Sequence, residues 1–153
     1  MGTMWRTRSE QETIRRGRFI ARSLQPGTVV ALVGDLGSGK TTLVKGLALG
    51  LGIQDSRQVK SPTFVILHVY KGRIPLYHFD LYRLDNQSDL EGIGIEEFLS
   101  DSKAISVIEW ADRVPAVLNR ADMKIEFRTD SEKTRTIRMT RRSTQRIVSK
   151  TKV

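Results

Sequence analysis

A glycine-rich segment in the first third of the chain has the residue types and spacing that bind phosphate. Its residues run Gly34-Asp-Leu-Gly-Ser-Gly-Lys-Thr41 and match the pattern Gly-x-x-x-x-Gly-Lys-Ser/Thr. Glycines let successive backbone N–H groups converge on phosphate oxygens, the lysine adds a point charge, and the threonine hydroxyl is a ligand suited to Mg²⁺. A purely structural glycine turn would not need that lysine and threonine. The residues predicted to bind the nucleotide here are Gly37, Ser38, Gly39, Lys40, Thr41 and Thr42.

Two carboxylates further along the chain could complete a magnesium site. Asp80 and Glu109 each follow an apolar, strand-like run. Because ligands of α/β sheets collect at the carboxyl ends of the strands, both acids are expected to face the phosphate loop. Mg²⁺ is usually held by one or two carboxylates together with phosphate oxygens. Thr41, Asp80 and Glu109 are therefore predicted to bind the metal; which acid ligates it directly stays open, and either could instead be a surface carboxylate.

The elements around the loop are those that this motif requires. Ser9 and Glu12 form a capping box that predicts a helix, which Pro26 and Gly27 end. The apolar run Thr28-Val-Val-Ala-Leu-Val33 then predicts a strand buried on both faces, as in parallel sheets. After the loop, a mostly apolar segment predicts a buried helix that ends near Gly52.

The rest of the chain predicts hairpins, short helices and one more buried strand. A hairpin is predicted from 64–70 and 74–82, with Pro75 at a sheet edge or a strand start. A second capping box at Ser88 predicts one short helix, and residues 95–99 predict another. Residues 104–108 predict a buried strand, and 123–128 with 134–140 predict a partly exposed hairpin. Together these elements predict an α/β, P-loop NTPase-like fold with three layers: a central, mostly parallel sheet with flanking antiparallel strands and hairpins.

Length, charge and composition set further limits. A chain of 153 residues predicts a single domain, here residues 1–140, followed by a basic tail at 141–153. The absence of cysteine excludes disulfides and thiolate chemistry, and no apolar run is long enough to span a membrane, which favours the cytoplasm. The net charge of +9 lies at the two ends, since residues 26–119 carry nine basic and eleven acidic side chains. Basic ends could attract tRNA or an acidic partner, or could simply be solvated.

Other classes of P-loop protein fit less well. Asp89-Leu-Glu-Gly92 and Asn119-Arg-Ala-Asp122 resemble GTPase motifs. The first follows a polar stretch rather than a strand, and the second lacks the expected lysine. A small-molecule kinase would need an arginine-rich lid, and none is apparent. Such a kinase and a nucleotide-gated binding module with incidental hydrolysis remain the alternatives to an ATPase.

Four sequence blocks together resemble the TsaE family, the bacterial ATPases required for making threonylcarbamoyladenosine in tRNA. They are Gly34-Asp-Leu-Gly-Ser-Gly-Lys-Thr-Thr42, Val59-Lys-Ser-Pro-Thr-Phe64, His78-Phe-Asp-Leu-Tyr-Arg-Leu84 and Ile108-Glu-Trp110. The resemblance covers about residues 9 to 140 and leaves out the basic tail.

This resemblance implies an ATP- and Mg²⁺-dependent component that acts with TsaB and TsaD, where TsaD carries out the transfer and ATP hydrolysis resets the complex. By the same resemblance, Lys40 is a catalytic phosphate ligand, Asp80 is the second acid of the site, and Glu109 is needed for hydrolysis. Thr63 is expected to sense the γ-phosphate, on a loop that Pro62 stiffens. No internal arginine finger is evident, so we expect weak ATPase activity from the isolated chain, raised by the partner complex.

Six further positions are assigned more loosely. Glu10 and Thr13 are expected to approach the adenine, and Arg135 either reaches the nucleotide or is a solvated strand residue. Trp110 is either a core anchor or part of a partner interface. Neither histidine, at 68 or 78, has metal-like spacing, and both are expected to be ordinary strand residues.

Overall fold

The computed structural model describes residues 2–84 and 87–142, which contain a seven-stranded sheet. The strands in chain order are β1 (Gly2–Thr7), β2 (Val29–Val33), β3 (Leu67–Tyr70), β4 (Leu76–Asp80), β5 (Ile105–Glu109), β6 (Met123–Thr129) and β7 (Arg135–Arg141). Across the sheet they lie in the order β1-β7-β6-β2-β5-β4-β3.

The four middle strands, β6, β2, β5 and β4, are parallel, while β1, β7 and β3 pair in antiparallel fashion at the two sides. The β2 strand is flanked on both edges and its first four residues are almost fully buried, which explains its unbroken apolar sequence. In the β4–β5 register Asp80 lies opposite Glu109. The two acids therefore end neighbouring strands at the same height.

Five helices form the layers on either side of the sheet: α1 (Glu10–Ala21), α2 (Lys40–Gly50), α3 (Gln87–Gly92), α4 (Ile95–Leu99) and α5 (Pro115–Arg120). Apolar side chains of α1 and α2 share one buried cluster with inward residues of β2, β5 and β6, and α3, α4 and α5 share another with the opposite face. This arrangement confirms the predicted three-layer α/β fold.

The two helices on the nucleotide-loop side cross at glycines. A Cβ added to Gly17 of α1 would lie 2.4 Å from the Leu43 carbonyl oxygen, and one added to Gly46 of α2 would lie 2.1 Å from that of Ile14. Neither position can hold a larger residue without moving a backbone. This close crossing brings the start of α1 beside the phosphate loop.

Several local predictions need correction. The β1 strand was not predicted, although Trp5 and Thr7 alternate with the more exposed Met4 and Arg6 as in a strand. The α3 helix begins at Gln87, so Ser88 lies inside it and is not its N-cap. Arg141, the first residue of the predicted tail, belongs to β7, and residues 143–153 lie outside the described part of the chain.

The α5 helix was not predicted either, and residues 64–66 form a turn before β3 rather than part of the strand. The GTPase-like segments do not follow the carboxyl ends of sheet strands. Asp89 is in α3, Asn119 is in α5, and the carboxylate of Asp122 accepts a hydrogen bond from the backbone N–H of Val29. Within residues 2–84 and 87–142, no helix has the length and apolar character needed to cross a membrane.

Candidate active site

One cavity of about 810 Å³ lies above the carboxyl ends of the parallel strands. Its lining includes every side chain or loop residue that the sequence assigned to a site: Glu10, Thr13, Gly37, Ser38, Gly39, Lys40, Thr41, Thr42, Thr63, Asp80, Glu109 and Arg135. These residues come from segments far apart in the chain. The fold therefore brings the whole predicted set to one place.

The phosphate loop has the backbone shape that the motif predicts. Gly37 and Gly39 have φ values of 74° and 103°, in the left-handed region that favours glycine. The α2 helix begins at Lys40, and no side chain caps it at Gly39. The first backbone N–H groups of an α-helix have no partner within the helix and carry the positive end of its dipole, so this turn fits an anion such as a phosphate.

Lys40 is held tightly at the loop. Its ammonium group donates to the carbonyl oxygens of Gly34 and Asp35, at 2.5 and 2.8 Å, and lies 4.1 Å from the centre of the Trp110 ring. Only 4% of the residue is exposed. Burial lowers the pKa of Lys40 below its ordinary value, and nearby carboxylates, of which Glu109 is the strongest, oppose that shift. The cation is therefore partly desolvated, which strengthens its attraction to phosphate.

Glu109 is fixed through both of its oxygens. The Thr41 hydroxyl donates to Oε1 at 2.7 Å, and the His78 ring nitrogen Nε2 lies 2.7 Å from Oε2. Glu109 is 2% exposed and His78 is fully buried. Because the Thr41 proton points at Glu109, the lone pairs of that hydroxyl oxygen stay available to a metal ion.

Asp80 is fixed by different partners. The hydroxyls of Ser61 and Thr63 both donate to Oδ2, the latter at 2.9 Å, and the backbone N–H of Tyr82 donates to Oδ1 at 2.8 Å. The two hydroxyl oxygens are 2.8 Å apart. Each hydroxyl has one hydrogen, so when both hydrogens go to Asp80 neither is left to bridge the two hydroxyls.

The loop that carries these hydroxyls exposes apolar side chains. Residues 63–66 turn back on Pro62, whose carbonyl accepts from the N–H groups of Val65 and Ile66. Ile66 has a φ of 72°, which is costly for a β-branched residue. Phe64 is 84% exposed and Val65 is 59% exposed. The loop thus joins a buried carboxylate to an apolar surface at the mouth of the cavity.

The far rim of the cavity is formed by the start of α1 and the turn before β7. The guanidinium of Arg135 donates to the Gly37 carbonyl at 3.2 Å, so Arg135 contacts the phosphate loop directly. Thr13 is buried, and its hydroxyl lies 2.8 Å from that of Thr7. Glu10 is 3.8 Å from the ammonium of Lys45.

Sequence reasoning missed several residues that line the cavity or contact its lining from the core. His78 is a buried strand residue, as expected, but it also contacts Glu109, and the signal for this was its position two residues before Asp80 on the same strand face. Trp110 contacts Lys40 and is only partly buried, so it is more than a core anchor. The other lining residues not predicted are Arg8, Ser9, Leu36, Ser61, Tyr82, Glu132 and Lys133; Arg8, Glu132 and Lys133 lie in turns that carry no motif.

The carboxylates fit a metal that a nucleotide brings with it. In the described ranges no group of three or more His, Cys, Asp or Glu side chains is placed to hold a metal by itself. Mg²⁺ is commonly bound through one or two carboxylates and substrate phosphates rather than by an all-protein cage. Thr41, Asp80 and Glu109 match that pattern of ligands.

Comparisons with known proteins identify the family to which the chain is similar. A family model described as threonylcarbamoyl adenosine biosynthesis protein TsaE matches residues 7–137. A Treponema pallidum protein named tRNA threonylcarbamoyladenosine biosynthesis protein TsaE is 45% identical over 131 residues, 86% of this chain and 95% of that relative. A Bacillus subtilis protein of the same name is 39% identical over 137 residues, 89% and 84% of the two chains. The crystal structure of Bacillus subtilis YdiB is similar at a TM-score of 0.75 and 32% identity, covering 92% of this chain and 86% of that one.

Proposed function

Since this chain belongs to the TsaE family, we propose that it binds and hydrolyses ATP with Mg²⁺ in the synthesis of threonylcarbamoyladenosine in tRNA. The observation that carries the proposal is the convergence of Lys40, Thr41, Asp80 and Glu109 on one cavity. These residues come from α2, β4 and β5, and together they supply a phosphate-binding cation, a hydroxyl ligand and two carboxylates.

Different residues of the site would bind the phosphates, hold the metal ion and orient the attacking water. The loop N–H groups and Lys40 would bind the phosphates, and Thr41 with the two acids would hold Mg²⁺, which neutralises charge on the transferred phosphoryl group. Glu109, fixed on both oxygens, would orient the attacking water. The buried surroundings have a lower dielectric constant than bulk water, and this would strengthen the electrostatic contacts.

The partners proposed are TsaB and TsaD, which follow from the family resemblance. Since the described site lacks an arginine placed over the loop from a lid, the isolated chain is proposed to hydrolyse ATP slowly and to be activated in the complex. Basic residues near both chain ends would favour contact with tRNA or an acidic partner surface, with a salt dependence typical of counterion release.

Reconstitution with TsaB, TsaD, ATP and tRNA tests the whole proposal. Modified tRNA and released phosphate are measured with the wild type and with Lys40→Ala, and thermal unfolding checks that the variant folds. We expect Lys40→Ala to abolish both products by weakening phosphate binding. If tRNA modification proceeds without this chain, the pathway assignment is wrong, even if ATP binds.

A nucleotide-gated binding module is the second candidate. It is favoured by one observation: the loop held by Asp80 exposes Phe64 and Val65 beside the cavity. In that case the bound nucleotide would control this apolar surface, and hydrolysis would be incidental. Glu109→Gln distinguishes the two, since a variant that binds ATP, fails to hydrolyse it and still supports tRNA modification would favour the binding module.

A further inference from the structure

His78, on β4, is a buried histidine in contact with Glu109. The proposed reaction gives this side chain no role. His78 is fully buried, and its Nε2 lies 2.7 Å from Glu109 Oε2. It precedes Asp80 by two residues, so both side chains point to the α2 side of the sheet. Its register partner is Val107, two residues before Glu109 on β5, so the ring reaches its carboxylate diagonally toward the strand ends.

The two ring nitrogens of His78 have different surroundings. Nδ1 of His78 is buried and has no hydrogen-bond partner. An ionised carboxylate oxygen can only accept a hydrogen bond, so in this contact the ring donates from Nε2 to Glu109.

We propose that His78 is a positioning residue that holds the Glu109 carboxylate for ATP hydrolysis; this inference rests on the proposed function. With Oε2 held by the ring, rotation of the carboxylate is restricted and Oε1 remains directed at Thr41. Thr41 in turn is the second residue of α2. His78 therefore links the β4 strand, the acid at the end of β5 and the phosphate loop from a position outside the cavity lining. Groups that orient the residues of a metal site in this way typically change affinity or activity 10- to 100-fold when removed.

A pair of amide substitutions separates hydrogen bonding from packing. In His78→Gln the amide nitrogen is as many bonds from Cβ as Nε2 is, so it can still donate to Glu109. In His78→Asn the amide nitrogen occupies the place of Nδ1 and falls short of the carboxylate. His68→Gln is the matched control, because His68 lies on β3 and bonds to Tyr70, whose ring packs on that of His78, but does not bond to Glu109. It keeps the hydrogen bond under test while changing a histidine one contact away.

We expect His78→Asn to lower kcat by about 10- to 100-fold, with KM for ATP changed by less than about threefold, and His78→Gln to restore most of the loss. His68→Gln should match the wild type. Equal losses in the Gln and Asn variants would mean that the ring only packs, and would overturn the proposal.

Histidine ring NMR of the wild type tests the same inference without any turnover. The chain has two histidines, so the ring nitrogen signals of His78 and His68 can be assigned by the His68→Gln spectrum. We expect a proton on Nε2 of His78 that exchanges slowly, and a shift of this signal in Glu109→Gln. The absence of a proton on Nε2 would overturn the proposal. If the wild type shows this ring state yet never hydrolyses ATP, the proposed function fails while the geometric inference stands.

Discussion

The two carboxylates of the site are held in contrasting ways. Glu109 is bonded to a strand residue and to the first turn of a helix, both parts of the packed core. Asp80 is bonded to two hydroxyls of a loop whose neighbouring side chains are exposed. An acid held by rigid elements suits a fixed role in chemistry, whereas an acid bonded to a loop can couple the state of the site to the surface.

Removing the charge of Glu109 should give the largest effect. Glu109→Gln keeps the shape of the side chain, and we expect kcat for ATP hydrolysis to fall roughly 100-fold or more, because a group that orients or activates the attacking water is lost. Nucleotide binding, measured by calorimetry, should change little. A variant that hydrolyses ATP at the wild-type rate would contradict the role given to Glu109.

Removing the charge of Asp80 should affect the loop as well as the chemistry. In Asp80→Asn one acceptor oxygen becomes a donor, so the hydroxyls of Ser61 and Thr63 and the backbone N–H of Tyr82 cannot all keep their bonds. We expect hydrolysis to fall by about 10- to 100-fold and hydrogen exchange to rise in residues 61–66. Glu109→Gln serves as the control and should leave exchange in that loop unchanged. If both variants change the loop equally, the two acids are not functionally distinct.

Removing one of the two hydroxyls that bond to Asp80 should have a smaller effect. Thr63→Val removes one donor to Asp80 while keeping the branched shape, and a single hydrogen bond contributes about 1 kcal/mol net. We expect a drop in unfolding temperature of a few degrees and a moderate loss of hydrolysis. Ser61→Ala is the matched comparison: if Thr63 senses the γ-phosphate, Thr63→Val should weaken ATP binding more than ADP binding, and Ser61→Ala should not.

A half-buried hydroxyl–carboxylate pair, which joins β4 to the loop after α4, gives the smallest effect. The Tyr77 hydroxyl donates to Asp101 at 2.5 Å and is the largest cause of a lowered pKa of that carboxyl, followed by the N–H of Lys103. A lowered pKa stabilises the fold above the ordinary carboxyl range and is lost as the pH falls through the folded value. We therefore expect Tyr77→Phe to unfold at a slightly lower temperature than the wild type near pH 7, and the difference to shrink below about pH 4. A difference that grows in acid would contradict this assignment.

The sequence was most informative where function requires a local pattern. The phosphate loop, its strand and its helix follow from residue spacing, because backbone turns and apolar periodicity are short-range properties. The placement of Asp80 and Glu109 also followed from sequence, since both end buried strands. The β1 strand was missed because an edge strand with one exposed face has a weak signal. The α3 helix was predicted, but its first residue was not, because a capping pattern does not fix a helix start to the residue.

The sequence by itself determined which residues can bind phosphate and metal, and on which elements they lie. Lys40 and Thr41 are at the start of a helix, and the two acids are at the ends of strands. Only the tertiary structure decided their partners, because β4, β5 and α2 are separated along the chain and meet through sheet register and core packing. That packing alone gives Glu109 the buried His78 and gives Asp80 the hydroxyls of Ser61 and Thr63. Long-range contacts of this kind carry no local signal in one sequence, and they are what distinguish the two acids.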